Sequence, residues 1–240
     1  MGSMYSHLRT AVVAGIAALS LALAPGRPLA ADALSERQLR EALLDAVDLP
    51  AGWASDSEQS AAKRGFGVPR PDEPDCGELF DTTTDPAARA GFARTRSGPF
   101  LTTVAAAHQN EDRARRSLAA AREAVDGACA TFHAEEGPEG GDVRVAYEAE
   151  RLDADSLGEE SLAVRFHRRL DGESATTPVV ADVVIARVGA QTVRVAQAGR
   201  DGADSGDLAA FAERAVEKLE EVASGRSADP LPDQPGTTEL

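Results

Sequence analysis

The chain has 240 residues, 42% of them apolar and only 4% aromatic, enough to bury one core and too few for several. Its formal net charge at neutral pH is −15. That balance argues against nucleic acid or an anionic lipid surface as a partner, because both need a basic footprint.

Residues 1–31 read as a secretory leader: a short start with His7 and Arg9, an apolar run from Ala11 to Ala24, then Pro25-Gly26-Arg27-Pro28 and small residues. The run is too short for a spanning helix, and cleavage is expected near Ala30 or Ala31, or after Ala31-Asp32-Ala33. Cleavage removes Arg9 and Arg27 but no acid, carrying the net charge from −15 to −17. The leader ends without a cysteine for lipid attachment, so a secreted protein is expected, with no membrane anchor beyond the leader itself. Retention of the uncleaved leader as a weak anchor is the alternative. The only cysteines, Cys76 and Cys129, point in an exported chain to one disulfide. It would close a loop of about 54 residues, worth on the order of 4 kcal/mol in the chain-entropy treatment.

A helix starts at Ser35-Glu36-Arg37-Gln38, a capping box stapled by Leu34 and Leu39. Its stripe of Leu39, Ala42, Leu43, Ala46 and Val47 keeps the helical period until Asp48-Leu49-Pro50-Ala51-Gly52-Trp53 stops it. Trp53, the sole tryptophan, is expected to anchor the chain to the core. From Ala54 to Pro74 glycines and prolines mark a surface excursion. Strand-like composition follows at about Ala88 to Thr95 and Phe100 to His108, with Ser97-Gly98-Pro99 as the turn between them. Asn110, Glu111 and Asp112 then open a second helix, with stripe Ala114, Leu118, Ala121, Val125 and Ala128, closed by Gly127 and Cys129.

The second half reads as consecutive strands. Val143, Val145 and Tyr147 alternate with Arg144, Ala146 and Glu148. Leu162, Val164, Phe166 and Leu170 alternate with Ala163, Arg165, His167 and Arg169, and Asp171-Gly172 supplies a turn. Val179 to Val188 is nearly continuously apolar, as a central covered strand should be, and Gly189-Ala190 turns it into Thr192 to Ala198. Asp207 is expected to cap a last helix with stripe Leu208, Phe211, Ala212, Ala215, Val216, Leu219 and Val222, ending at Gly225. The order predicts one α+β domain over residues 32–225, an antiparallel sheet with helices packed on one face and one disulfide, followed by a disordered tail at 226–240.

The acid-rich stretch Asp153-Ala154-Asp155-Ser156-Leu157-Gly158-Glu159-Glu160-Ser161 matches a calcium loop at its first, third and sixth positions through Asp153, Asp155 and Gly158. Leu157 holds the fifth position and Val164 the twelfth, so the ligand set fails and a solvated turn is expected. Asp204-Ser205-Gly206 resembles a serine-protease nucleophile loop over three residues, and a loop before a helix cap explains it equally. His108, His133 and His167 lack ligand spacing, so no metal is expected, and no cofactor motif occurs. The row Arg165, His167, Arg169 could receive an anionic ligand or pair across strands with Glu148 and Glu150.

The order of parts resembles the extracellular sensor domain of the mycobacterial serine/threonine kinase H. The features are Leu49-Pro50-x-Gly52-Trp53, Cys76 with Cys129 after the arginine-rich helix, Leu157-Gly158-Glu159-Glu160-Ser161 leading into a strand, the Val183 to Val195 hairpin and the final helix, over roughly residues 35–224. The resemblance implies a sheet backed by helices, with a cleft for an unidentified ligand of an actinobacterial envelope. The leading expectation is therefore an exported, non-enzymatic, sensor-like or ligand-binding domain whose partner is an envelope small molecule or protein. Its candidate ligand residues are Arg165, His167, Arg169, Glu159 and Glu160. The alternatives are a secreted hydrolase with a site assembled from distant segments, and a structural or protein-interaction module.

Overall fold

Residues Val179 to Val188 need burial on both sides of their backbone, and the chain meets that need by placing them in the interior of a sheet. The computed structural model describes residues 33–56, 71–73, 76, 87–136, 143–170, 179–200 and 206–228. The leader, most of the polar excursion, the Asp171-Gly172 turn, the loop at 201–205 and the tail from 229 lie outside the described residues.

The strands are β1 (Ala54–Ser55), β2 (Ala87–Ala93), β3 (Phe100–Ala107), β4 (Thr131–Glu136), β5 (Val143–Arg151), β6 (Glu160–Leu170), β7 (Val179–Val188) and β8 (Gln191–Arg200). They form one eight-stranded sheet in the order β1-β2-β3-β8-β7-β6-β5-β4, and each neighbouring pair is antiparallel. The helices are α1 (Glu36–Glu41), α2 (Glu111–Asp126) and α3 (Gly206–Ala223). This is the expected α+β class, including its Cys76–Cys129 disulfide, whose Cα atoms are 5.5 Å apart.

Strand alternation sorts the helices between the two faces. Val184 and Ala186 of β7, Val193 and Val195 of β8 and Leu101 and Ala105 of β3 pack with Leu208, Phe211, Ala215 and Leu219 of α3 and Leu39 of α1. The opposite residues, Ala181 and Val183 of β7 and Leu162, Val164 and Phe166 of β6, pack with Leu118, Ala121 and Val125 of α2 and with the disulfide. The expectation of helices on one face is thereby refined: α1 and α3 share one face and α2 takes the other. Phe132 stacks on Tyr147 and meets Phe166 edge-on in the α2 layer. Each large side chain so buried contributes about 1.5–3 kcal/mol.

The first helix is shorter than its stripe predicts. Ser35 and Gln38 form the capping box, but α1 ends at Glu41 and a separate 3-10 turn runs Ala46–Asp48. Asp45 opens that turn by accepting the Ala46 amide, while the Asp45 amide donates to Asp48 at 2.8 Å. The break lets Asp48 turn inward, and Val47 is left only half-buried. Trp53 anchors as expected, edge-on to Phe211 with ring centroids 5.6 Å apart. Asn110 caps α2 through the Arg113 amide at 2.9 Å, and Ala128 falls beyond the helix end and is exposed. Asp207 lies in the first turn of α3, one residue inside the helix rather than at its cap.

Asp48 has a fully buried side chain that accepts from Arg214 Nε at 3.0 Å and from Lys218 Nζ at 2.6 Å, tying the 3-10 turn to α3. Burial pushes this carboxyl up, but the Lys218 hydrogen bond, the Asp45 amide, the charge of Lys218 and the Arg214 hydrogen bond outweigh it, so it titrates below its ordinary 3.8. Because the folded value is the lower one, the unfolded chain takes up the proton, and this stability is lost as pH falls below 3.8. Asp48→Asn is therefore expected to cost about 3–5 kcal/mol at pH 7, where it leaves two buried cations short of a charge. In denaturant unfolding the gap between parent and variant should narrow at pH 3; an equal gap at both pH values would contradict this reading.

Candidate functional site

The acid-rich connection between β5 and β6 meets the end of β7 directly. Gly158 has φ +59° and bridges to Arg187, and a Cβ there would sit 2.5 Å from the Arg187 carbonyl oxygen. The Glu159 amide donates to that same carbonyl at 2.9 Å. The Arg187 side chain, 4% exposed, then takes Glu159 at 2.5 Å and Glu160 at 3.2 Å. Arg122 of α2 holds the other Glu160 oxygen at 3.0 Å and donates to the Ser161 carbonyl at 2.9 Å. The Arg122 hydrogen bond, with that of Arg187 and both charges, keeps the Glu160 carboxyl below the usual glutamate range despite the opposing effect of burial. Glu159 also accepts from the Gly189 amide at 2.9 Å, so it closes onto the β7–β8 turn.

The expectation of purely solvated acids is corrected here. Asp153 and Asp155 are exposed, whereas Glu159 and Glu160 are built into a charge network joining the β5–β6 connection, β7 and α2. Val164, at the calcium template's last position, is 1% exposed in the core.

A second polar arrangement lies on the α1/α3 side of the sheet, where β4, β5 and β6 extend past the helices. Arg144, Glu148, Glu150 and Thr131 are exposed there, and Arg165 and His167 are half-buried. Arg165 lies opposite Glu150 of β5 in register. It grips Asp182 of β7 in a bidentate pair, Nε to Oδ1 at 2.7 Å and Nη2 to Oδ2 at 2.8 Å. Asp182 is 4% exposed and lies opposite Gln197 of β8, itself buried. A polar row thus runs from the open half of the sheet to β8, the strand against which α3 packs. The Arg165 side chain remains 31% exposed at its outer end.

His167 pairs with Glu150 at 3.3 Å, and Arg169 continues the register opposite Ala146. Arg165 and His167 therefore share a face. Glu160 lies on the opposite face of β6, toward α2, so the structure does not bring Glu159 and Glu160 together with that row. The three histidines are likewise separate: His108 shares a hydrogen bond with Thr192 at 3.2 Å, and His133 contacts Glu73. Asp182 is the site residue that sequence reasoning missed. A lone acid inside a doubly covered apolar strand demands a cation, and the β6–β7 register supplies Arg165.

No family model matches the chain, and no curated protein matches it. Among solved structures it is similar to the extracellular domain of PknH from Mycobacterium tuberculosis, with 12% sequence identity and a TM-score of 0.48 over 81% of this chain and 99% of that one. A likeness of this size does not carry a function across.

The contact at Gly158 separates backbone preference from steric fit. Gly225 also has a positive φ, +77°, but nothing lies within 4 Å of its added Cβ. Gly225→Ala should cost about 1 kcal/mol, and Gly158→Ala clearly more, because the Arg187 carbonyl cannot recede without breaking the bridge. Equal losses in denaturant unfolding would overturn the assignment.

Proposed function

We propose that the chain is an exported, non-enzymatic, sensor-like or ligand-binding domain of an actinobacterial envelope. On this reading its ligand meets the open β4–β6 half of the sheet at Arg165, His167 and Arg169. The observation that carries it is Arg165. A buried carboxylate holds both ends of its guanidinium fork in place, yet the side chain still reaches the surface. Such a group is pre-organised to meet an acceptor without losing rotamer freedom, which is the main cost that a surface arginine faces on binding. The disulfide supports an oxidising compartment, and no described helix is long and apolar enough to cross a membrane. The sequence resemblance to a kinase sensor domain points the same way. A hydrolase would need an acid, a base and a nucleophile in one place, whereas each of the described histidines, His108, His133 and His167, has its own separate partner.

The test is thermal unfolding of the chain lacking residues 1–31 against fractionated small-molecule extracts of an actinobacterial envelope. A fraction that raises the melting temperature of the parent should lose its effect on the Arg165→Gln/Asp182→Asn double variant, which removes both charges of the pair together. If no fraction shifts the parent, or if the double variant responds equally, this surface is not the ligand site.

A further inference from the structure

The two-residue turn Gly189-Ala190 between β7 and β8 is held by three residues from other parts of the sheet. The Gly189 amide donates to Glu159 at 2.9 Å, the Gly189 carbonyl accepts from Arg187 at 3.1 Å, and the Ala190 carbonyl accepts from the His108 amide at 2.9 Å. The His108 ring adds a further tie, its Nε2 sharing a hydrogen bond with the Thr192 hydroxyl at 3.2 Å. His108 directly follows β3 and stands two residues before Asn110, the cap of α2. One residue therefore joins the end of β3, the start of β8 and the approach to α2.

His108 is 6% exposed, and its ring bonds to a hydroxyl, which can serve either neutral tautomer. A buried imidazolium would need a carboxylate, and the described acids of the adjoining elements are already engaged. Glu111 and Asp112 of α2 pair with Arg115 at 2.6 and 3.0 Å, while Glu159 and Glu160 pair with Arg187 at 2.5 and 3.2 Å. The described cations on this side are Arg113 of α2, Arg187 of β7 and Arg194 of β8, and the positive end of the α2 dipole adds to them. Burial first, and the Arg113 charge second, hold the imidazole below its ordinary 6.5. On the other face of β8, Gln191 is 1% exposed, and neither its amide nitrogen nor its amide oxygen has a hydrogen-bond partner among the described residues. Opening the turn would hydrate that amide, which offsets part of the cost of opening.

We propose that His108 is an acid-sensitive latch: protonation of its ring releases the β7–β8 turn and the start of α2 from the end of β3, and leaves the sheet from β3 to β6 paired. Release breaks one backbone hydrogen bond, from the His108 amide to Ala190, because the β3–β8 ladder begins beyond it at Ala107 and Gln191. The turn stays attached to the β5–β6 connection through Glu159 and Arg187. The opened form takes up the proton at a higher pH than the closed form, so the latch holds fully above 6.5 and weakens as pH falls below it. Mild acid thus acts on one corner of the domain. That corner lies on the α2 face of the sheet, away from the Arg165 row, so the latch and the ligand reading stand or fall separately.

The experiment is amide hydrogen exchange of the full chain, read by mass spectrometry at about pH 7.5 and about pH 5.5 and corrected for the intrinsic pH dependence of exchange. Peptides covering residues 108–114 and 187–192 should lose about tenfold in protection at the lower pH, while those covering 162–166 and 181–186 keep theirs. His108→Gln can still bond to the Thr192 hydroxyl but takes up no proton, so its protection should be the same at both pH values. Arg113→Gln changes an exposed side chain and removes the facing charge; its ring then protonates closer to 6.5 in the closed form, and its loss should be smaller than the parent's. Unchanged protection of the parent at 108–114 and 187–192, an equal loss in His108→Gln, a loss in Arg113→Gln as large as the parent's, or a loss shared by the whole sheet would overturn the proposal.

Discussion

A guanidinium that is 4% exposed near the end of an interior strand must have its charge matched within reach, and Arg187 is such a group. Its carboxylates come from the connection that leads into β6, so that connection has to return to the end of β7. Glycine at 158 permits the approach, because any Cβ there would collide with the Arg187 carbonyl. The neighbouring strand starts at Glu160, and its register with β7 is fixed from that point. Arg122 then draws α2 onto the same carboxylate. One buried charge thus sets a turn, a strand start and the position of a helix.

The same economy governs the rest of the sheet. In an acidic chain the buried cations are few, and most are held by carboxylates brought from distant segments: Asp182 for Arg165, and Asp48 for Arg214 and Lys218. These pairs add little net stability over an apolar replacement, but they penalise any arrangement that separates them. They therefore select one packing of α3 and the 3-10 turn and one register of β6 on β7. Arg165 is held in place by Asp182 with part of its side chain still at the surface.

Local chemistry was the legible part of the sequence. The caps at Ser35 and Asn110, the Trp53 anchor, the apolar β7 strand, the Gly189-Ala190 turn and the cysteine pair follow from residue type and spacing, and they specified the α+β class. What escaped depends on distant partners. The first helix ends at Glu41, and Asp45 opens a separate turn that carries Asp48 to α3, far along the chain. Thr131 to Glu136 is given no element from sequence, yet Phe132 and Ala134 alternate into the α2 core and β5 pairs along its length. Glu159 and Glu160 read as solvated acids because Arg187, their partner, is nearly thirty residues away. The candidate site was half legible: the Arg165 row was visible as an alternation, but its acid, Asp182, was hidden inside an apolar run.

The central claim is that the Glu159–Glu160 connection is locked onto Arg187, and a double-mutant cycle measures that lock. Unfolding free energies of the parent, Arg187→Met, Glu160→Gln and the double variant give the coupling between the two side chains free of their separate effects. The account predicts a favourable coupling of at least about 1 kcal/mol, within the range found for charged groups that share one network. Additive losses, with a coupling indistinguishable from zero, would mean that the acids merely lie beside Arg187 and do not hold it.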